Sequence, residues 1–206
     1  MKKLDKTGPD DLILREPFMF FDNFTGLNQQ VTVDFNDLSV IQSVPTIRPD
    51  NKVIFNVDQD GYVDSKYDYF YYEIGLEKTL TKPVSTLYLT NDRNLLSSLE
   101  NLCLMIGLYS NEYNVFNQFV NFELKKHDTK FWKADIFTEE KLNSEFPISV
   151  YPEPDFFIRR YIKFTPSDKN LSKNTKFNKD SFGNAHRSGL FRCIEVGFLV
   201  DPGKIK

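Results

Sequence analysis

The chain has 206 residues and a formal net charge of −3, with 40% hydrophobic and 27% charged residues. These values lie near globular averages and exclude a largely disordered or fibrous protein. No stretch approaches the roughly 18 consecutive apolar residues of a membrane-spanning helix, and residues 1–11 lack the apolar core of a signal peptide. We therefore predict synthesis in the cytoplasm without a signal peptide, and no membrane partner.

Aromatic residues are unusually frequent, with 20 Phe, 10 Tyr and 1 Trp. Such rings favour half-buried strands and give large contact areas at interfaces. A genome of low GC content would also enrich Phe and Tyr, so part of the excess can be purely compositional. The excess predicts a β-rich fold whose aromatic surfaces make contacts between subunits.

Residues 1–28 form the first predicted segment, an extended N-terminal arm. Two short apolar clusters, at residues 12–14 and 18–21, are separated by Pro17. Proline fixes φ and donates no backbone hydrogen bond, so it interrupts regular structure between the clusters. Such an arm needs another surface to pack against.

Residues 29–206 are predicted to form one β-rich domain. Apolar and polar residues alternate with period two over residues 30–35 and 52–57, which indicates two half-buried strands. Residues 84–90 form a further predicted strand, because Pro83 is tolerated just before its start.

The segment 66–73 is predicted to be a strand that is apolar on both faces. Tyr67, Tyr69 and Tyr71 share one face, and the opposite face is apolar as well. A strand of this type is either central in a sandwich or covered by a partner. The three tyrosines are therefore candidate interface residues.

The clearest predicted helix spans residues 92–107. Its leucines recur at spacings of three and four, and Gly107 stops it. Residues 112–124 suit either a helix or an irregular strand, and we favour the helix. A short capped helix is predicted at 138–142, before Pro147.

Two strands are predicted near the C-terminus, at 155–164 and 190–200. In the first, Arg159 lies on the polar face, whereas Arg160 is the basic residue on the apolar face. Strands at irregular spacing with helices in the long connections predict a mainly β, α+β fold. The expected architecture is a single-domain antiparallel β-sandwich, jelly-roll-like, with one clear amphipathic helix and one or two shorter helices in connections.

The segment 167–188 has no periodicity and is rich in Lys, Asn and Ser, which predicts a basic, flexible loop. Residues 159–206 carry 11 Lys and Arg against 4 Asp and Glu, whereas residues 1–158 carry 15 against 25. Opposed charges of this kind suit head-to-tail packing of copies or docking onto an acidic subunit. The candidate basic interface residues are Arg159, Arg160, Lys163, Lys173, Lys176, Lys179 and Arg187.

The basic segment also suits two roles besides a protein interface. Basic residues interleaved with aromatic rings can bind a nucleic acid, because the charges follow the phosphates and the rings stack on bases. The sequence pI of about 5.5 and the lack of a nucleic-acid-binding signature argue against that alternative. The segment can also be a solvated surface loop without a binding role.

A candidate Ca²⁺ site lies at Asn56, Asp58, Asp60 and Asp64, with Gly61 between the last two. Oxygen ligands at alternate positions with a glycine for the sharp turn are typical of a calcium loop. The match is partial, because Tyr67 stands where a calcium loop has its bidentate glutamate. The alternative is a turn at Asp60 and the glycine that follows, which is a strong hairpin signal.

Catalytic motifs are missing from the sequence. None of the nine glycines belongs to a dinucleotide-binding, phosphate-binding or nucleophile-elbow motif. His127 and His186 are far apart in the chain, and Cys103 and Cys193 are expected to be two buried thiols. We therefore predict no cofactor other than the Ca²⁺ alternative, and no enzymatic activity.

The predicted function is that of a non-catalytic structural or adaptor subunit of a larger assembly, such as a virus or phage particle or a similar lattice. Its partners would be copies of itself or other subunits. The alternative is a β-sandwich recognition module that binds carbohydrate, peptide or nucleic acid through the three tyrosines and the basic loop. A third hypothesis is an enzyme whose residues converge without any local motif.

Overall fold

The computed structural model describes residues 12–76, 80–168 and 189–201. The strands of this part are β1 (Leu12–Asn23), β2 (Gln29–Asp34), β3 (Val40–Val44), β4 (Lys52–Val57), β5 (Phe70–Leu76), β6 (Ser85–Thr90), β7 (Phe131–Thr138), β8 (Ser149–Tyr151), β9 (Phe156–Ser167) and β10 (Phe191–Val200). Its helices are α1 (Leu95–Met105), α2 (Ser110–Lys125) and α3 (Glu139–Glu145). None of these helices is both long and apolar enough to cross a membrane.

Seven strands form a mixed sheet in the order β3-β5-β1-β10-β9-β7-β6, and a smaller sheet has the order β4-β2-β8. The prediction of a mainly β, sandwich-like α+β fold is confirmed. Pairing is not antiparallel throughout, because β9 and β10 run parallel. A parallel pair requires a connection that returns the chain to the same end of the sheet, and residues 168–190 stand between these two strands in the sequence. A jelly-roll arrangement is not confirmed.

The seven-stranded sheet is the middle of three layers. Helices α1 and α2 pack on one face, and the small sheet packs on the other. In β10, Ile194 and Val196 belong to the core under the helices, whereas Cys193 and Leu199 belong to the core under the small sheet. Both faces are therefore buried in the middle of β9 and over most of β10. For this reason the alternation in β9 does not mark a solvent-exposed face.

The predicted N-terminal arm is, from Leu12 onward, an internal strand of the domain. Strand β1 pairs with β10 on one side and with β5 on the other. Phe18 and Phe20 pack under the helices, whereas Met19 and Phe21 pack under the small sheet. The surface that the apolar clusters need is supplied by the same chain. Residues 1–11 lie outside the described residues.

Most of the predicted elements are found with small shifts of their ends. The segment 112–124 is a helix, as favoured, and it is longer than predicted. The strand predicted at 66–73 begins only at Phe70, so Tyr67 and Tyr69 precede it. Strands β3, β7 and β8 were not predicted. Strand β7 is internal to the sheet, and its alternation of Trp132 and Ala134 with polar residues is a signal that could have revealed it.

Candidate functional site

The three tyrosines predicted as interface residues line one groove of about 380 Å³. Its walls and floor come from five parts of the chain: strand β1, the end of β3, the segment before β5, strand β5 itself and helix α2. The lining residues are Phe18, Val44, Lys66, Tyr67, Asp68, Tyr69, Tyr71 and Phe119. We call this site the aromatic groove.

Contacts between rings hold the aromatic groove in shape. Phe18 forms its buried floor and makes an edge-on contact with Tyr69, with 4.8 Å between ring centres. The centre of the Phe18 ring lies 6.0 Å from that of Tyr71 and 5.3 Å from that of Phe119. Aromatic pairs at such distances add about 0.5–1.5 kcal/mol to the burial of their area. The floor is therefore rigid, and the outer rings remain partly exposed.

The groove exists because the helical layer covers only part of the large sheet. Helix α2 packs on β10 and α1 packs on β6. On the other half of the same face, strands β1, β5 and β3 meet the side of α2 that carries Phe119, which is 37% exposed. The sequence pattern predicts the three tyrosines but does not indicate Phe18 and Phe119. Only the packing of α2 beside β1 and β5 brings those two rings to the site.

The polar groups at the groove are few and opposite in charge. The ammonium of Lys66 lies 4.7 Å from the ring centre of Tyr67, and its contact with that side chain raises the pKa of Lys66. The side chain therefore carries its positive charge at neutral pH. Asp68 is exposed at the rim. The Tyr71 hydroxyl donates a hydrogen bond of 2.6 Å to Glu73 Oε1. The lining of the groove is thus mostly apolar, and its charged members are one cation, Lys66, and one anion, Asp68.

A second cluster of polar residues lies between the two sheets and is closed to solvent. Arg159 Nε donates to Glu195 Oε2 at 2.6 Å, and the hydroxyls of Tyr72 and Tyr161 both donate to Glu195 Oε1. Arg159 also donates to Asn143 Oδ1 and to a backbone carbonyl, both at 2.8 Å. We call this set the buried ion-pair network. Each of its charges has partners, so no charge is left uncompensated in the core, and the cluster offers no opening to a substrate.

The ionisation of the buried ion-pair network follows from its burial. Burial raises the pKa of the Tyr72 and Tyr161 hydroxyls well above the usual range, and the charge of Glu195 raises them further. Burial alone would lower the pKa of Arg159, but the groups around it, the Glu195 carboxylate above all, together offset this and the net pKa is raised. Both hydroxyls therefore remain hydrogen-bond donors, and the guanidinium remains charged.

The structure corrects the interface prediction for Arg159 and Arg160. Both are buried, at 0% and 2% exposure, and neither guanidinium faces a partner surface. Arg160 lies among apolar side chains under the helices, where it pairs with Glu139 and donates to the backbone carbonyl of Ile106 at 3.2 Å. Sequence alternation could not show this, because a strand buried on both faces has no solvent side.

The remaining basic candidates divide into two groups. Lys163 is described, and its ammonium forms an ion pair of 2.9 Å with Asp201. Lys173, Lys176, Lys179 and Arg187 lie outside the described residues. The predicted flexible loop at 167–188 lies outside them as well, apart from its first two residues. The basic interface therefore stays a prediction.

The candidate calcium segment is a tight turn. Asp58 Oδ1 accepts hydrogen bonds from the backbone N–H groups of Asp60 and Tyr62, at 3.1 and 2.9 Å. Asp64 Oδ1 accepts one from Asn56 at 2.9 Å. These carboxylates thus stabilise the turn, and no cluster of three or more His, Cys, Asp or Glu that could hold a metal occurs in the described part of the chain. The chain reverses at this turn, as the hairpin alternative predicts, and Val57 and Val63 form an antiparallel bridge across it. The next strand, β5, lies in the other sheet.

Both cysteines are expected to be unreactive in the folded protein. Burial raises the pKa of the Cys103 and Cys193 thiols, and nearby carboxylates raise both further. The nucleophilic thiolate is therefore scarce at neutral pH. We expect Ellman's reagent to modify neither thiol within minutes at pH 8, and to modify both after denaturation in guanidinium. Rapid modification of the native chain would contradict the burial of these side chains.

Comparisons of the chain with protein-family models, with curated proteins and with solved structures found no match.

Proposed function

We propose that the chain is a non-catalytic adaptor subunit whose aromatic groove binds an extended peptide segment of a partner protein. The observation that supports this most is the convergence of Tyr67, Tyr69, Tyr71 and Phe119 around one open groove. Concave, mostly apolar sites of a few hundred Å³ are typical of binding sites. Rigid aromatic rings also give large contact areas at low cost in conformational entropy.

The chemistry of the lining favours a peptide over the other ligand classes. A nucleic acid needs a net positive field, whereas here Lys66 is balanced by Asp68. A carbohydrate needs several polar groups directed at its hydroxyls, whereas the Tyr71 hydroxyl is already bonded to Glu73. Apolar or proline side chains fit the walls. An acidic and a basic residue of the peptide, next to those side chains, would complement Lys66 and Asp68 at the rim.

The proposal of a non-catalytic role is supported by how the ionisable groups are used. The buried charges of Arg159 and Glu195 satisfy each other and are closed to solvent. Beside the groove, the charged lining residues are Lys66 and Asp68, both at its rim. Membership of a particle or lattice, which the composition suggests, stays a prediction.

Replacing Phe119 by serine is expected to weaken peptide binding by about tenfold or more. An aromatic residue at the centre of an interface is often worth about 2 kcal/mol, and 1.4 kcal/mol corresponds to a factor of ten. The probe is a displayed library of random 12-residue peptides selected on the full chain. The retained peptides are then synthesised, and their affinities are measured by isothermal titration calorimetry.

The matched control is Phe122→Ser, on the same helix one turn further along. Phe122 is 62% exposed and does not line the groove, so the affinity should change by less than about twofold. Circular dichroism confirms that both variants are folded. The proposal would be overturned if both variants lost affinity equally. It would also be overturned if the peptides bound Phe119→Ser with the affinity they show for the natural chain. Selective binding of oligosaccharides from a parallel panel would replace peptide by carbohydrate.

A further inference from the structure

The open edges of the two sheets differ in how they are protected against pairing with another strand. Natural edge strands are blunted by charges, prolines, bulges or short length. Strand β3 has a register irregularity between Val40 and Gln42, and Pro45 follows it. Strand β8 has three residues and is followed by Pro152. Each of these two edges is therefore a poor template for a further strand.

The edge at β4 is protected as well, by the chain that follows it. The backbone N–H of Asp64 donates to the carbonyl of Asn56 at 2.7 Å, and Val63 forms a bridge with Val57. The loop after β4 thus occupies the end of its edge, and Lys52 adds a charge at the other end. A second chain could not pair along the whole strand.

Strand β6 has fewer of these protections, because the proline beside it, Pro83, lies two residues before its start and the strand itself is six residues long. Its sequence Ser-Thr-Leu-Tyr-Leu-Thr contains no charge, glycine or proline. It pairs with β7 without a register shift from Ser85↔Ile136 to Thr90↔Phe131. Within residues 12–76, 80–168 and 189–201 no strand pairs with its other side. A straight, uncharged edge of residues with high β-propensity is a template for strand pairing.

We propose that β6 pairs antiparallel with β6 of a second copy, so that two seven-stranded sheets become one continuous sheet. Two identical edges match each other around a two-fold axis, which gives a closed dimer. If the two Leu87 residues lie on the axis, Thr86 of each copy lies opposite Tyr88 of the other. No charged side chains then face each other within β6. The modest net charge of −3 produces little repulsion between copies. Strand β3, at the opposite edge of the seven-stranded sheet, is irregular. We therefore expect no further copies to add to the sheet of the dimer.

The substitution Tyr88→Glu tests this interface, because the fold should tolerate it. Tyr88 lies opposite Lys133 in the register of β6 and β7, so a carboxylate there would lie beside a cation of the same chain, one that already pairs with Asp135 at 2.7 Å. Across the proposed two-fold axis, however, the two carboxylates would be diagonal neighbours on one face of the sheet, about 7–8 Å apart, and would repel each other. We expect the full chain to dimerise with rising concentration in sedimentation velocity, and Tyr88→Glu to raise the dissociation constant about tenfold or more.

The matched control is Ile54→Glu on the edge strand β4, where the side chain is also partly exposed. We expect its dissociation constant to stay within about twofold of that of the natural chain. A natural chain that remains monomeric at about 0.5 mM, or a Tyr88→Glu variant that dimerises equally well, would overturn the proposal. If Tyr88→Glu does not fold, the dimer is tested instead by amide hydrogen exchange of the natural chain at several concentrations. The β6 amides should become more protected as concentration rises, and unchanged exchange would equally overturn it.

Discussion

Replacing Glu195 by glutamine is expected to lower the free energy of unfolding by about 3–5 kcal/mol. Glutamine has nearly the same shape but carries no charge, so the fully buried guanidinium of Arg159 would lose its counter-ion. The hydroxyls of Tyr72 and Tyr161 would also lose the charged acceptor on which both converge. Urea denaturation followed by circular dichroism measures the effect as a lower midpoint.

A matched control separates burial from the loss of any glutamate. Glu145 forms an ion pair of 2.6 Å with Lys141 on α3, and both side chains are partly exposed. Solvent screens this pair, so Glu145→Gln is expected to change the unfolding free energy by less than about 1 kcal/mol. The double variant Arg159→Met with Glu195→Leu should lower the free energy of unfolding less than Glu195→Gln alone does, because no unpaired charge remains in the core. Equal effects of Glu195→Gln and Glu145→Gln would show that the Glu195 carboxylate is not needed to compensate the buried charge of Arg159.

Replacing Gly61 by alanine is expected to destabilise the fold by about 3 kcal/mol or more. Gly61 has a φ of +89°, where a side chain costs about 1–2 kcal/mol. A Cβ atom there would also lie 2.2 Å from the carbonyl oxygen of Phe21, which is backbone of the internal strand β1. The turn or the strand must move to admit it. The unfolding free energy in urea is the quantity to measure.

Gly26 provides the comparison for this substitution. Its φ of +76° is similar, but a Cβ atom at that position would meet nothing within 4 Å. Gly26→Ala should therefore cost only the backbone strain, about 1–2 kcal/mol. The difference between the two variants isolates the contact with Phe21. No difference would mean that the turn after β4 does not rest against β1 as described.

The aromatic groove was partly predictable from local pattern. Tyr67, Tyr69 and Tyr71 recur with period two, which predicts that they share a face, and all three do line the groove although the first two precede β5. The same spacing also separates them from Phe70 and Tyr72, which are fully buried. The other rings of the groove come from β1 and α2, far away in sequence, and no periodicity connects them with the tyrosines. Such long-range contacts depend on strand order, which short motifs do not encode.

Sequence by itself determined the class of the fold, most of its elements and their apolar stripes. These properties follow from local periodicity, because helices repeat every 3.6 residues and strands every two. Only the tertiary structure decided that β1 is an internal strand and that Arg159 meets Glu195 between two sheets. It also decided that a groove lies open beside α2. The physical reason is that burial depends on what other segments cover, and a residue's own neighbours in the chain do not specify those segments.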